Sequence, residues 1–484
     1  MEKREDELSK ESGKLRQFLA AMIVNLSAMS YGTMIGWQSP SAPQLQSSSP
    51  PVGSVPMTDD GVSWLSGSMC LAGTLTVAIL LMIPNKFSRK RMCYGLTLPL
   101  AFSWLFIIFA TNHTHIYVAR GLSGIGGAGV LFFVPIYVSE IAGDSIRGFL
   151  ASVMTLVLNF GILLAYILGG VLSMRVLAIT LLAIPVLYLV AFVFMPESPV
   201  YLVRQNRLHE AARSLNWLKA GNNLAVEKTL SHLQLEIKES AIARSAKLSD
   251  LFKDRATIKA LIISLMLFCG QQFGGIFALI SYSETIFKMS GSSLTPNTSA
   301  IIIALIQFFG SWLALVLVER AGRRLLLLVS ASGMCACHCA MGAFFYFQDQ
   351  EYNVSAFFWV PVTALSIFMV VYSMGLGTIP VVVVSEIFSR DVTSLGLAMG
   401  MLMCWMCAFI MVKVFSDLIV LLGTYGCFFL LAIVCVCNLI FCFIMMPETK
   451  GRLREDIVDE LNGKSKTKQI KHIVAMDSEQ VAHV

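Results

Sequence analysis

Charged side chains are scarce in this 484-residue chain, where Asp, Glu, Lys and Arg together make up 14% of the residues. A water-soluble domain of that length carries far more charge on its surface, so a soluble enzyme or soluble binding module is excluded. No Gly-rich turn followed by Lys is present to cradle a nucleotide phosphate, which leaves direct nucleotide drive without a motif. No nucleophile, base and orienting group can be placed together, so no enzyme activity is expected. The net charge of +6 is not gathered on a soluble basic face, and no nucleic-acid partner is expected. Asp and Glu are absent from residues 17–38, the first apolar stretch. No small-residue cleavage site follows that stretch, so no removable signal peptide is read and the first span serves as its own anchor.

What is abundant is apolar surface: 56% of the residues are hydrophobic and the mean hydropathy is +0.72. Apolar segments over 17–38, 61–83, 92–111, 116–138, 149–171, 174–195, 258–281, 298–318, 325–347, 357–384, 395–416 and 422–446 are each long enough, or nearly so, to cross a hydrocarbon layer of ~30 Å at ~1.5 Å per residue. The expected fold class is an all-α membrane protein with twelve transmembrane helices, its lipid partner being the bilayer. Of the 36 Lys and Arg, only Arg175, Lys288, Arg120 and Lys413 fall outside the two tails and the even-numbered loops. Basic residues mark the cytoplasmic side, so both termini are expected there, in a multi-pass protein of the plasma membrane. Sequons at Asn112, Asn297 and Asn353 fall in or beside expected outside loops, where glycosylation is open; Asn25 lies inside a span.

Twelve cysteines lie mostly inside the expected spans, where Cys packs as a small apolar residue. In the run CACHC, Cys335 and Cys339 share a helix face but Cys337 points away, so no tetrahedral metal site is expected and no cofactor is implied.

The two halves repeat one order of motifs. SRKR (Ser88 to Arg91), PIYVSEIAGDSIRG (Pro135 to Gly148) and PESP (Pro196 to Pro199) are followed by ERAGRR (Glu319 to Arg324), PVVVVSEIFSRDVTS (Pro380 to Ser394) and PETKG (Pro447 to Gly451). The organisation read from this is a tail over 1–16, a six-helix bundle over 17–196, a helical linker over 197–257, a second bundle over 258–446 and a tail over 447–484. Two similar bundles around a central path are the architecture of many secondary carriers. Within LMLFCGQQFGGIFALIS (Leu265 to Ser281), Gln271 and Gln272 sit side by side in a greasy run. An amide removed from water without a partner costs roughly 1–3 kcal/mol, so the pair either lines a wet cavity or bonds to neighbouring helices.

The ordered set RGLSGIGGAG, PIYVSEIAGDSIRG, PESPVYLVR, GQQFGG, VERAGRR, PVVVVSEIF and PETKG resembles the sugar porter family of the major facilitator superfamily over nearly the whole chain. The segments from Gly32 to Pro43 and from Trp405 to Leu418 are most similar, within it, to the insect trehalose and glucose facilitators. The resemblance implies that Gln271, Gln272 and Gln307 hydrogen-bond sugar hydroxyls. It sets Phe277, Thr155, Ser373 and Trp405 at solute-facing positions as well. Several of these depart from the family: Phe277, Thr155, Ser373, Val381 and Cys404 replace more polar or more sugar-specific groups, so a less polar pocket is expected.

The same resemblance places Glu140 with Arg147, Arg89 with Arg120, Glu386, and Glu319 with Arg320, Arg323 and Arg324 in a cytoplasmic salt-bridge network that holds the two halves together when the carrier faces outward. Thr393, Asn85 and Ser88 replace expected partners there, which weakens the latch. Met34 stands where proton-driven relatives carry an acid, so downhill uniport is expected, of a sugar such as glucose or trehalose. A facilitative carrier of another small polyol or organic solute, or a non-transporting sugar receptor, stays open. The role of Lys413 is open too, with Asp417 as a natural i to i+4 partner. Oligomeric state is not readable.

Overall fold

The computed structural model describes residues 13–82, 87–143, 146–242, 248–290, 295–389 and 391–463. Among them there is helix and no strand. The first bundle comprises α1 (Lys14–Leu45), α2 (Asp59–Met82), α3 (Arg89–Ile108), α4 (His113–Ile141), α5 (Arg147–Gly169) and α6 (Met174–Phe192). The linker holds α7 (Pro199–Arg204), α8 (Leu208–Leu218) and α9 (Asn223–Ile242). The second bundle comprises α10 (Arg255–Phe273), α11 (Ile276–Ser281), α12 (Ser283–Ser290), α13 (Pro296–Arg320), α14 (Arg323–Asp349), α15 (Val360–Met374), α16 (Ile379–Ile387) and α17 (Thr393–Met445), and α18 (Arg454–Asn462) follows.

Among the described residues, eleven stretches have the length and hydropathy to cross a membrane, and the last of them, α17, is 53 residues long. At ~1.5 Å per residue such a rod would measure ~80 Å, more than twice a ~30 Å hydrocarbon layer. It therefore turns back at Gly423, whose φ of 70° and ψ of 164° are not helical, and it supplies the eleventh and twelfth spans.

Close packing in the first bundle depends on the glycines of RGLSGIGGAG on α4. A Cβ on Gly124 would stand 2.0 Å from the Met69 carbonyl oxygen of α2, and one on Gly127 would stand 2.1 Å from the Tyr31 ring of α1. Small residues that let backbones touch are the usual device for joining helices in lipid, where no hydrophobic gain is available. In the linker, α8 buries Ala211, Ser214, Leu215 and Leu218, one stripe at helical spacing. Gln17 of α1 binds that linker directly, its amide donating to Leu218 O (3.4 Å) while its oxygen accepts from Gly143 N (2.7 Å).

Two expected spans are not continuous. The seventh breaks at Gly274 and Gly275, between α10 and α11, and the tenth breaks between Met374 and Ile379. The first runs on to Leu45, seven residues past its expected end, through Pro40 and Pro43.

Candidate functional site

Both breaks fall midway between the linker end of the molecule and the opposite, far end. Gly275 takes φ +89°, a left-handed conformation that favours glycine, and starts the short α11. Breaking a helix in lipid strands carbonyl groups, and each needs a donor. His338 of α14 supplies one: its Nε2–H donates to Gly274 O at 3.0 Å, from a fully buried ring packed on Phe368 and Phe428. This is the histidine of CACHC; it turns to the break in α10–α11, whereas Cys339 is exposed. Two turns earlier on α14, Ser330 Oγ accepts from Leu376 N (3.2 Å) inside the other break.

Gln271 and Gln272 end α10 just before its break, 8% and 7% exposed. Gln271 donates to Tyr372 OH (3.2 Å) and to the freed carbonyl of Gly377 (3.5 Å), so it ties the two breaks together. Gln272 donates to Cys404 Sγ (3.0 Å), and Cys404 in turn reaches Gln271 Oε1 at 3.7 Å. The Cys404 thiol thus bridges both amides. Gln272 Oε1 is buried with no partner among the described residues, as is the indole nitrogen of Trp405, the next residue after Cys404. Trp405 is 4% exposed and crosses the seam between bundles, its ring 6.1 Å from that of Tyr31 and hard against Gly73.

A second polar group lies at the same depth across the seam. Asn159 of α5 donates to Ser311 Oγ (2.6 Å) and accepts from Gln307 Nε2 (3.4 Å), both on α13. Ser311 continues to Ser373 Oγ at 3.5 Å. Gln307 and Ser373 are therefore brought together, through Asn159, which the sequence reading did not single out. The signal was there: Asn159 is the lone amide in the apolar run of α5. Thr155, one turn earlier, and Phe277, on α11, are half-buried.

At the linker end each bundle builds the same charge station. Arg89 pairs with Glu140 at 3.2 Å, and Arg323 pairs with Glu386 at 3.0 Å. Behind each, a Pro-Glu acid caps the next helix start. Glu197 accepts from Lys90 N (3.0 Å) and from Ser88 Oγ, and Glu448 accepts from Arg323 N (2.9 Å) and Arg324 N (3.3 Å). A carboxylate on the free amides of a helix N-terminus suits the positive end of its dipole. These two acids carry the PESP and PETKG repeats and were not assigned a role from sequence. Thr449 adds a 2.5 Å bond to Glu386, and Thr393 donates to Ser389 O at 2.7 Å.

Several expected partners differ. Each ion pair lies within a single bundle. Glu140 takes Arg89, while Arg147 is exposed and donates to Ala142 O (3.4 Å). Arg320 is exposed, and its carbonyl accepts from Lys450. Asn85 and the Glu319 side chain lie outside the described residues. Arg120 is a correction: seven residues into α4 from the far end, it is fully buried and donates to Leu65 O (2.9 Å), Met34 O and Gln38 Oε1 (3.0 Å), with its guanidinium 6.0 Å from the Trp37 ring. Its depth on α4 keeps it from Arg89, and backbone carbonyls satisfy its charge in place of an acid.

The far end is where the bundles meet. Tyr166 OH donates to Ile280 O (2.7 Å), Ser66 Oγ to Ser281 Oγ (3.1 Å) and Glu284 N to Ser39 Oγ (3.3 Å). Lys413 reaches Asp60 at 2.5 Å and Ser63 Oγ at 2.9 Å on α2, with its ammonium 4.6 Å from the Trp64 ring. Its ion-pair partner is thus across the seam rather than Asp417. A cavity of about 520 Å³ remains at this end between α1, Gly170, Asn297 and Glu284, and burial pushes the Glu284 carboxyl up to about 7 against the pull of Lys288. At the linker end, by contrast, Ser139 of α4 and Val381 and Ser385 of α16 are exposed. The bundles are bonded to each other at the far end, while these three positions toward the linker are uncovered.

Comparison with known proteins agrees with this geometry. The family described as sugar (and other) transporter matches residues 19–460. A facilitated trehalose transporter Tret1 of Bombyx mori is 32% identical over 93% of this chain and 88% of its own length. A Tret1-2 homolog of Drosophila simulans is 32% identical over 93% and 91%. In fold, the chain is similar to the inward open conformation of the xylose transporter XylE from E. coli, with a TM-score of 0.74, 20% identity and coverage of 91% of this chain and 99% of that one. A family of multi-pass carriers, and not of enzymes, accounts for the repeated bundles, the paired charge stations and the amides at the seam: this chain belongs to the sugar transporter family of the major facilitator fold.

Proposed function

We propose that the chain is a facilitative carrier of a neutral sugar, glucose or trehalose being the natural candidates, and that it works by alternating access. The observation that carries this reading is that Gln272 Oε1 and the indole N–H of Trp405, the residue after Cys404 to which Gln272 is bonded, are an acceptor and a donor both buried without a partner among the described residues. A buried polar atom left unmade costs about 1–3 kcal/mol, and a passing hydroxyl both donates and accepts. Neutral amides suit an uncharged polyol, because they demand no counter-charge.

Uniport is supported by Met34, which fills the first-span position with a fully buried thioether that accepts from Ser103 Oγ (3.3 Å). No proton is exchanged by such a group. The two rocking bodies are residues 17–196 and 258–446, joined by 197–257, in the plasma membrane with the linker and both termini cytoplasmic. The conformation described is then inward-facing. Cys404, a thiol on both glutamines, favours a second reading, a less hydroxylated polyol as cargo.

Uptake of labelled glucose and trehalose into proteoliposomes, with and without an imposed proton gradient, tests the proposal. Saturable uptake indifferent to the gradient is expected; strict dependence removes uniport, and binding without uptake makes the protein a receptor. In correctly inserted Gln272→Leu, KM is expected to rise roughly tenfold or more. Unchanged kinetics would return the amide to a packing role.

A further inference from the structure

We propose that Asn159 is the solute-binding residue of the first bundle, and that it exchanges its bond to Ser311 for a hydroxyl of the cargo as the bundles rock. The proposal rests on the transport reading above and adds a grip that neither the motifs nor the relatives' names assign.

The glutamines, Cys404 and Trp405 all belong to the second bundle. A solute held by one bundle alone has no differential contact with the two arrangements of the pair, and without that it cannot bias the equilibrium between them. Something on the first bundle has to hold it too. The fifth-span position implied by resemblance carries Thr155, with a single short hydroxyl. Asn159 lies one turn farther along the same face of α5, at the depth of the two breaks, and is 6% exposed.

Its present bonds leave it room to act. The amide has two N–H donors and an oxygen with two lone pairs. One donor meets Ser311 Oγ at 2.6 Å, and the oxygen takes only a long contact from Gln307 at 3.4 Å. A second donor and a lone pair are left over. The tie crosses between α5 and α13, elements of different bundles, so relative motion of the bundles strains it. Side-chain bonds of this kind in a membrane protein are individually weak, so a hydroxyl can replace one at little net cost. Ser311 is not orphaned by the exchange, because its hydroxyl already donates to Gln307 O at 2.9 Å. The ligand class follows: a neutral polyol long enough to reach from Gln272 on α10 to Asn159 on α5.

The opposed possibility is that the bridge is only a structural tie. Ser311→Ala separates the two, because it removes the bridge while leaving Asn159 free for the cargo. Equilibrium exchange of labelled glucose and trehalose is measured in proteoliposomes of the full chain, with insertion checked by protease protection. For the transported sugar, Asn159→Ala is expected to raise KM at least tenfold with kcat within about threefold. Ser311→Ala is expected to leave KM within about twofold, or to lower it. Asn159→Ser, which keeps a hydroxyl, recovers part of the loss and guards against misfolding of the alanine variant. Equal kinetics for Asn159→Ala and Ser311→Ala overturn the proposal and leave transport standing. If the unsubstituted protein moves neither sugar, the transport reading fails first and this inference goes with it.

Discussion

The two bundles share a plan at the linker end and part company at the centre. Each has an arginine at the start of its third membrane span, an acid ending its fourth, and a Pro-Glu carboxylate behind them. Yet α1 and α4 run unbroken through the membrane, whereas their counterparts in the second bundle are split into α10–α11 and α15–α16. The first bundle spends its glycines on contact, as at Gly124 and Gly127. The second spends Gly275 on a left-handed turn and recruits His338 and Gln271 to satisfy what the breaks expose. The difference teaches where motion is located: the first bundle is a stiff platform, and the second carries the joints.

That comparison can be broken at four places, beginning with the largest effect. The Arg89–Glu140 side chains are 4% and 11% exposed, against 15% and 26% for Arg323–Glu386. Removing one partner of a buried pair costs ~3–5 kcal/mol, so Glu140→Gln is expected to lower the melting temperature in detergent far more than Glu386→Gln. Equal shifts would mean that the platform is no stiffer than its partner.

Next come the joints. Ala at a left-handed position costs ~1–2 kcal/mol, and a Cβ on Gly275 would also stand 3.1 Å from Leu431, so Gly275→Ala should slow transport about tenfold. Gly121→Ala on α4, which has open space around it, should leave transport unchanged. Normal transport in Gly275→Ala would deny the second bundle its hinge. His338→Leu leaves Gly274 O without its donor at a cost of ~1–3 kcal/mol, which thermal scanning should register together with faster hydrogen exchange at Ile276 to Leu279. The smallest effect is expected at Lys413, whose partner Asp60 is 73% exposed. Such a pair is worth ~0.2–1 kcal/mol and is screened by salt, so Lys413→Met should speed opening of the far end no more than about fivefold, a gain that vanishes at 1 M salt. A salt-independent gain would assign the closure to the Trp64 ring instead.

Much of this was legible in the residues. Apolar length marked the spans, the doubled motifs marked the halves, and a pair of amides in grease marked the centre. The breaks were hidden because FGGIFALI, from Phe273 to Ile280, stays apolar throughout, and glycine in a membrane helix is as often a packing contact as a joint. Partners distant in sequence were hidden as well. Asp417 stood one turn from Lys413, but the ion pair went to Asp60, 353 residues away. Arg120 was read by kind rather than by depth, although its place near the His113 end of α4 set it at the far end. Asn159 was passed over because a single amide carries no repeat to flag it.

One consequence follows from the Pro-Glu carboxylates. By fastening onto the free amides that begin α3 and α14, Glu197 and Glu448 brace each bundle's outermost rods into a truss, to which Tyr94 adds a strut at Leu189 (3.1 Å). A braced frame does not flex along its length, so any work done by an arriving guest is delivered to the glycine elbows at the centre and is not dissipated in the scaffold around them.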